Sequence, residues 1–104
     1  MERNSIQELV KDFVLKNKYE TTIEIRMLDL LSELGELSKE LIISSNYGKL
    51  EISTEEKIKD EFGDVLFSLI CIANLLEINM EQQIIKTLDK YKKRLITKGR
   101  ISSN

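Results

Sequence analysis

Two stretches decide how this chain is read: Ser32-Glu33-Leu34-Gly35-Glu36-Leu37 and Asp60-Glu61-Phe62-Gly63-Asp64-Val65. Each carries two carboxylates three residues apart, and residues at i and i+3 share one face of an α-helix. Apolar side chains crowd both stretches, with Leu30, Leu31 and Leu34 at the first and Phe62, Leu66 and Phe67 at the second. Carboxylates on the apolar side of a helix are costly unless a cation compensates them. Four converging acids, Glu33, Glu36, Glu61 and Asp64, therefore make a site for a hard divalent metal. Mg²⁺ is the first candidate, with Mn²⁺ as a substitute.

Outward from these stretches the sequence predicts four helices. The first covers about Ser5 to Lys16, opened by the capping box Ser5-x-x-Glu8, with Ile6, Leu9, Val10 and Phe13 at helical spacing. The second runs from about Thr22 to Ser44 behind Thr21-x-x-Glu24, and the cluster from Ser44 to Gly48 ends it. The third begins near Thr54 behind Ser53-x-x-Glu56 and continues to about Leu76. The fourth follows Asn79 as N-cap and ends near Thr97, before Gly99. The tail from Gly99 to Asn104 is expected to be flexible without ligand. From Val65 to Leu76 the third helix is apolar on nearly every side, which calls for burial all round. A chain of this length cannot enclose a helix alone, so the expected fold is an all-α four-helix bundle completed by homo-oligomerisation.

Composition narrows the chemistry. One domain accounts for all 104 residues, and 41% hydrophobic with 33% charged residues fits a globular protein. A formal net charge of −2 speaks against general nucleic-acid binding. No apolar leader follows Met1, and the Val65–Leu76 run is too short to span a bilayer, so no membrane role is expected and cytoplasm is the default compartment. The lone Cys71 rules out an intrachain disulfide and reads as an inert core residue. With no histidine in the chain, the serine–histidine and cysteine–histidine nucleophile systems and histidine metal sites are excluded. Carboxylates, lysine, arginine and metal must do the work.

Spacing brings the parts to one level. From Glu36 to the end of the second helix is roughly 13 Å, and from Thr54 to Glu61 is roughly 11 Å in the opposite direction. The two acidic pairs thus meet across an antiparallel hairpin. Along the next hairpin, Lys90 and Arg94, one turn apart, return to the same height, while Lys57 lies one turn before Glu61. Carboxylates with cations beside them suit a metal-bound polyphosphate. Gly35 and Gly63, inside helices where glycine costs about 1 kcal/mol relative to alanine, are expected to permit close helix packing.

At these residues the chain resembles the MazG-like, all-α nucleoside triphosphate pyrophosphohydrolases. The paired Glu-x-x-Glu and Glu-x-x-Asp motifs match, and the resemblance extends through Lys90-Tyr91-Lys92-Lys93-Arg94 on the last helix. It implies Mg²⁺-dependent hydrolysis of (deoxy)nucleoside triphosphates to monophosphate and pyrophosphate. Glu33, Glu36, Glu61 and Asp64 would be the metal ligands, with Glu36 and Glu61 in catalytic roles. Lys57, Lys90 and Arg94 would contact phosphate, and a homodimer or homotetramer is implied. The chain departs from the family pattern in having Ser32 before Glu33, Asp89 before Lys90 and no tryptophan. Asn74, polar within an apolar run, is either a base contact or one half of an interhelical hydrogen bond in the interface. Two alternatives stand beside this function. One is a narrower pyrophosphohydrolase for phosphoribosyl-ATP or deoxyuridine or deoxycytidine nucleotides, and the other a non-catalytic helical interaction module.

Overall fold

In the computed structural model, which describes residues 5–51 and 55–102, four helices follow in chain order and no strand occurs among the described residues. They are α1 (Ile6–Lys16), α2 (Ile23–Ser44), α3 (Glu56–Leu75) and α4 (Met80–Lys98). The all-α expectation holds. Ser5 caps α1 by accepting from the Glu8 N–H, and Asn79 caps α4 by accepting from the Gln82 N–H. The cap of α2 is Thr22 rather than Thr21. Thr22 has the extended backbone of a cap, and its hydroxyl accepts from the Ile25 N–H. At α3 the N-cap is Glu55, without a side-chain cap bond; Ser53 and Thr54, expected to open it, lie outside the described residues.

Three helices end in the same way. Lys18, Asn46 and Glu77 each take positive φ, at 52°, 48° and 56°. Behind them Tyr19, Tyr47 and Ile78 donate backbone N–H groups to the carbonyls of Val14, Ile42 and Ala73. These are Schellman closures built without glycine. Only α4 ends on one, Gly99 at φ 69°.

The body is α3 with α2 and α1 laid against it. Lys57 meets Glu40 and Glu61 and Asp64 meet Glu33, so residues further along α3 face earlier ones on α2 and the two helices are antiparallel. On the other side the Phe13 ring stands edge-on to Phe67 at 6.1 Å, and Gln7 reaches Asn74, so α1 also runs antiparallel to α3. The buried set is small: Ile58, Ser68, Ile70, Cys71 and Ala73 on α3, with Arg26 and Ser45. Leu69 and Phe62 stay exposed on α3, so one chain does not enclose that helix.

α4 barely packs on this body. Its first turns approach the end of α3 around Leu69, Ile72 and Ile84, and beyond them Leu88, Leu95 and Ile96 are exposed. The chain is correspondingly open. Its radius of gyration is 17.0 Å, against about 13 Å for a compact domain of this length. It exposes 8477 Å², where a compact monomer of 12.1 kDa would expose about 6,000 Å². Among the described residues no helix is long and apolar enough to cross a membrane.

Candidate metal centre

Glu33 comes from the middle of α2, and Glu61 and Asp64 from the second and third turns of α3. One carboxylate oxygen from each lies within 4.8 Å of the other two. Glu33 and Glu61 are half-buried and Asp64 is exposed. The grouping follows from the i, i+3 spacing within α3 and the antiparallel register with α2. Partial burial pushes the Glu33 carboxyl above its usual range, and the negative charges of Asp64, Glu61, Glu36 and Asp29 push it further. Like charges held this close are unfavourable without a counter-ion. Oxygen ligands of one Mg²⁺ lie about 2.0–2.1 Å from the ion, so they are separated by about 4 Å at most. The three carboxylates are thus near the spacing a hard cation requires, and all their donors are of the type it takes. Glu36, exposed on the next turn, adds its charge to Glu33 but stands outside the close cluster.

The other expected site residues fall elsewhere. Lys57 Nζ is 3.1 Å from Glu40 Oε1, one rung away from the acids along the α2–α3 seam. Lys90 lies over the Tyr91 ring at 5.2 Å. Arg94 lies over the same ring at 5.9 Å, and its Nη1 donates to the Ile101 carbonyl. With α4 standing off the body, a single chain brings neither cation to the acids. Asn74 is engaged within the chain: its Oδ1 accepts from Gln7 Nε2 and its Nδ2 donates to the Gln7 carbonyl. Gly35 and Gly63 do not mark close packing in this chain. A Cβ placed at either meets nothing within 4 Å, because both face outward beside the acids. Burial pushes the Cys71 thiol up, which keeps it protonated and unreactive.

Two residues outside the sequence reading matter here. Gln7 ties α1 to both ends of the α3–α4 turn. Arg26, only 3% exposed, is the one charged residue buried among those described. Its only signal in sequence is its place about two turns before Glu33, amid Ile23, Ile25 and Met27.

An acidic cluster on an antiparallel helical hairpin, with helices and no strand among the described residues, defines the class as all-α proteins with a cluster of carboxylates spaced so that they could hold a metal ion. The comparisons narrow it. A model of the MazG nucleotide pyrophosphohydrolase domain matches residues 21–96, and the chain belongs to that family. It is 37% identical over 71 residues to the uncharacterized protein YpjD of Bacillus subtilis (strain 168), a match covering 65% of this chain. It spans 62% of that curated relative's length. It is also similar to a solved structure, the Bacillus-conserved MazG protein, a nucleotide pyrophosphohydrolase. There the TM-score is 0.69 at 30% identity, over 88% of this chain and 93% of the other. The family resemblance carried by the two acidic motifs is borne out.

Proposed function

We propose that this chain hydrolyses (deoxy)nucleoside triphosphates to nucleoside monophosphate and pyrophosphate, as a Mg²⁺-dependent homo-oligomer in the cytoplasm. The observation that carries the reading is the meeting of Glu33, Glu61 and Asp64 within 4.8 Å. Membership of a nucleotide pyrophosphohydrolase family supports it. These three residues would hold Mg²⁺, with Glu36 at the edge of the set. When bound, the ion lowers the pKa of water and stabilises charge on the departing pyrophosphate. Glu36 and Glu61 orient the attacking water and accept its proton. Attack at the α-phosphorus adds the water oxygen there and breaks the α–β anhydride, so pyrophosphate leaves. Lys57, Lys90 and Arg94 supply charge for the phosphates. For the last two, a second copy or a closure of α4 is needed to bring them near. The surplus of about 2,500 Å² over a compact monomer's surface favours the second copy, since obligate interfaces reach that size.

The test is pyrophosphate release from a panel of ribo- and deoxyribonucleoside triphosphates with Mg²⁺, with Mn²⁺ and with chelator. Metal-dependent release of pyrophosphate and monophosphate is expected. Loss of activity with retained helicity is expected for Glu61→Gln and Asp64→Asn. Release of orthophosphate instead, or near-normal turnover in either variant, overturns the assignment.

A further inference from the structure

Lys57 has two acidic neighbours within reach, and the structure shows which one it takes. Glu61 follows it by four residues on α3, a spacing at which lysine and glutamate can pair along one helix face. Glu40 faces it from α2. The ammonium goes to Glu40, with Nζ 3.1 Å from Oε1, and among the described residues Lys57 forms no ion pair with Glu61. Two effects account for the choice. Lysine ahead of glutamate is the weaker of the two orders at this spacing. The Glu40 side chain is 15% exposed against 66% for Lys57, so its charge is less screened by water. Among the described residues this is the ion pair that joins two helices, the others lying within one helix. With its lysine in water it adds little to stability. Its contribution is to position.

Glu40 lies four residues beyond Glu36 on α2, and Lys57 four before Glu61 on α3, each step being about 6 Å along its axis. An ammonium released from Glu40 can cross that gap on its flexible four-carbon stem without movement of the backbone. At Glu61 it would neutralise one member of the close cluster and compete with a metal for the same oxygens. We infer that Glu40 is a positioning residue for the metal centre: it holds the Lys57 ammonium across the α2–α3 seam, off Glu61, and keeps the acids open to a divalent cation. The inference rests on the metal-dependent reading above. Held there, Lys57 stays one turn from the acids, and phosphates arriving at the metal draw it over because they offer more negative charge than one carboxylate.

The test measures Mn²⁺ binding to the substrate-free protein by titration calorimetry in the wild type, Glu40→Gln, Lys57→Met and the double variant. Asp64→Asn marks binding at the acids, and circular dichroism checks the fold of each variant. Glu40→Gln should weaken Mn²⁺ binding by about two- to fivefold. Made in the Lys57→Met background, the same change should leave affinity close to that of Lys57→Met alone. Loss of a charge, or a merely structural role for Glu40, would weaken binding in both backgrounds. Turnover of Glu40→Gln should fall at low Mg²⁺ and recover at saturating Mg²⁺. An equal loss in both backgrounds, or no loss in either, overturns the inference. Failure of the wild type to bind Mn²⁺ overturns the metal reading instead. A measurement in chelator keeps the two apart: nuclear Overhauser contacts from the Lys57 side chain should reach Glu40 in the wild type and Glu61 in Glu40→Gln. Contacts that do not move between the two proteins overturn the inference whatever the metal does.

Discussion

Gln7 is the residue whose removal has the most calculable effect. Its Nε2 donates to Asn74 Oδ1 at 3.1 Å and to the Ile78 carbonyl at 2.7 Å, and its Oε1 accepts from the Met80 N–H at 2.8 Å. Gln7→Ala deletes all three bonds and leaves the part-buried Met80 N–H and Asn74 Oδ1 unpaired. A hydrogen bond contributes about 1 kcal/mol net, with more lost when a buried partner is orphaned. The bond to Ile78 is exposed and counts least, so the expected loss is about 2–3 kcal/mol. For a domain whose whole stability is of order 5–15 kcal/mol this is a large fraction. With a urea slope of about 1.5 kcal/mol/M, the midpoint should fall by about 1–2 M. The assay is equilibrium urea unfolding followed by circular dichroism, at one protein concentration because an oligomer's stability depends on it. A Gln7→Ala/Asn74→Ala double-mutant cycle should return a coupling of about 1 kcal/mol. A change below about 0.5 kcal/mol in Gln7→Ala would refute the idea that this side chain pins α1 to the α3–α4 turn.

Other expectations follow from particular contacts. Glu33→Gln should abolish pyrophosphate release yet stabilise the metal-free protein, measured by thermal melts in chelator, because it removes one of the repelling charges. The same residue sets a pH dependence. Its folded pKa is raised, so its contribution to stability is present below the ordinary carboxylate range and lost as pH rises through the raised value. Urea midpoints in chelator should therefore fall across that window in the wild type and less so in Glu33→Gln. Lys18→Gly and Glu77→Gly should each stabilise the chain by about 1 kcal/mol in urea unfolding, since both positions hold positive φ without glycine's freedom. Lys57→Ala should cost no more than about 1 kcal/mol of stability, its partner Glu40 being half-buried but Lys57 itself exposed; a larger loss in the urea midpoint would contradict the structure.

The meeting of Glu33, Glu61 and Asp64 was legible because its signal is local, whereas Glu36, expected with them, stands outside the close cluster. Three-residue spacing sets each pair on a face, and the helix lengths alone set the two pairs at one height. The caps at Ser5 and Asn79 were legible for the same reason. Arg26 was not, because its burial depends on Tyr19 at the end of α1 and Phe67 on α3, which no local pattern couples to it. The stops near Lys16 and Leu76 were legible, but the left-handed closures at Lys18 and Glu77 were not, because the rule for such closures looks for glycine. Lys90 and Arg94 show a different limit. Rise per residue gives height along an axis but not distance between axes, and α4 is splayed from the body. Gly35 and Gly63 misled in the opposite direction, reading as close contacts where the chain leaves open space.

The splay of α4 makes it a lever. Its near end is held where the Met80 N–H meets Gln7, and Lys90 lies about 15 Å beyond and Arg94 about 21 Å beyond along the axis. A swing of about 20° at that joint would carry Lys90 through about 5 Å and Arg94 through about 7 Å. A few backbone dihedrals around Ile78 and Asn79 thus govern where two positive charges arrive, and with them how much cation the acids meet. Small changes far from the carboxylates, in the turn or in Gln7, would be magnified at the tip.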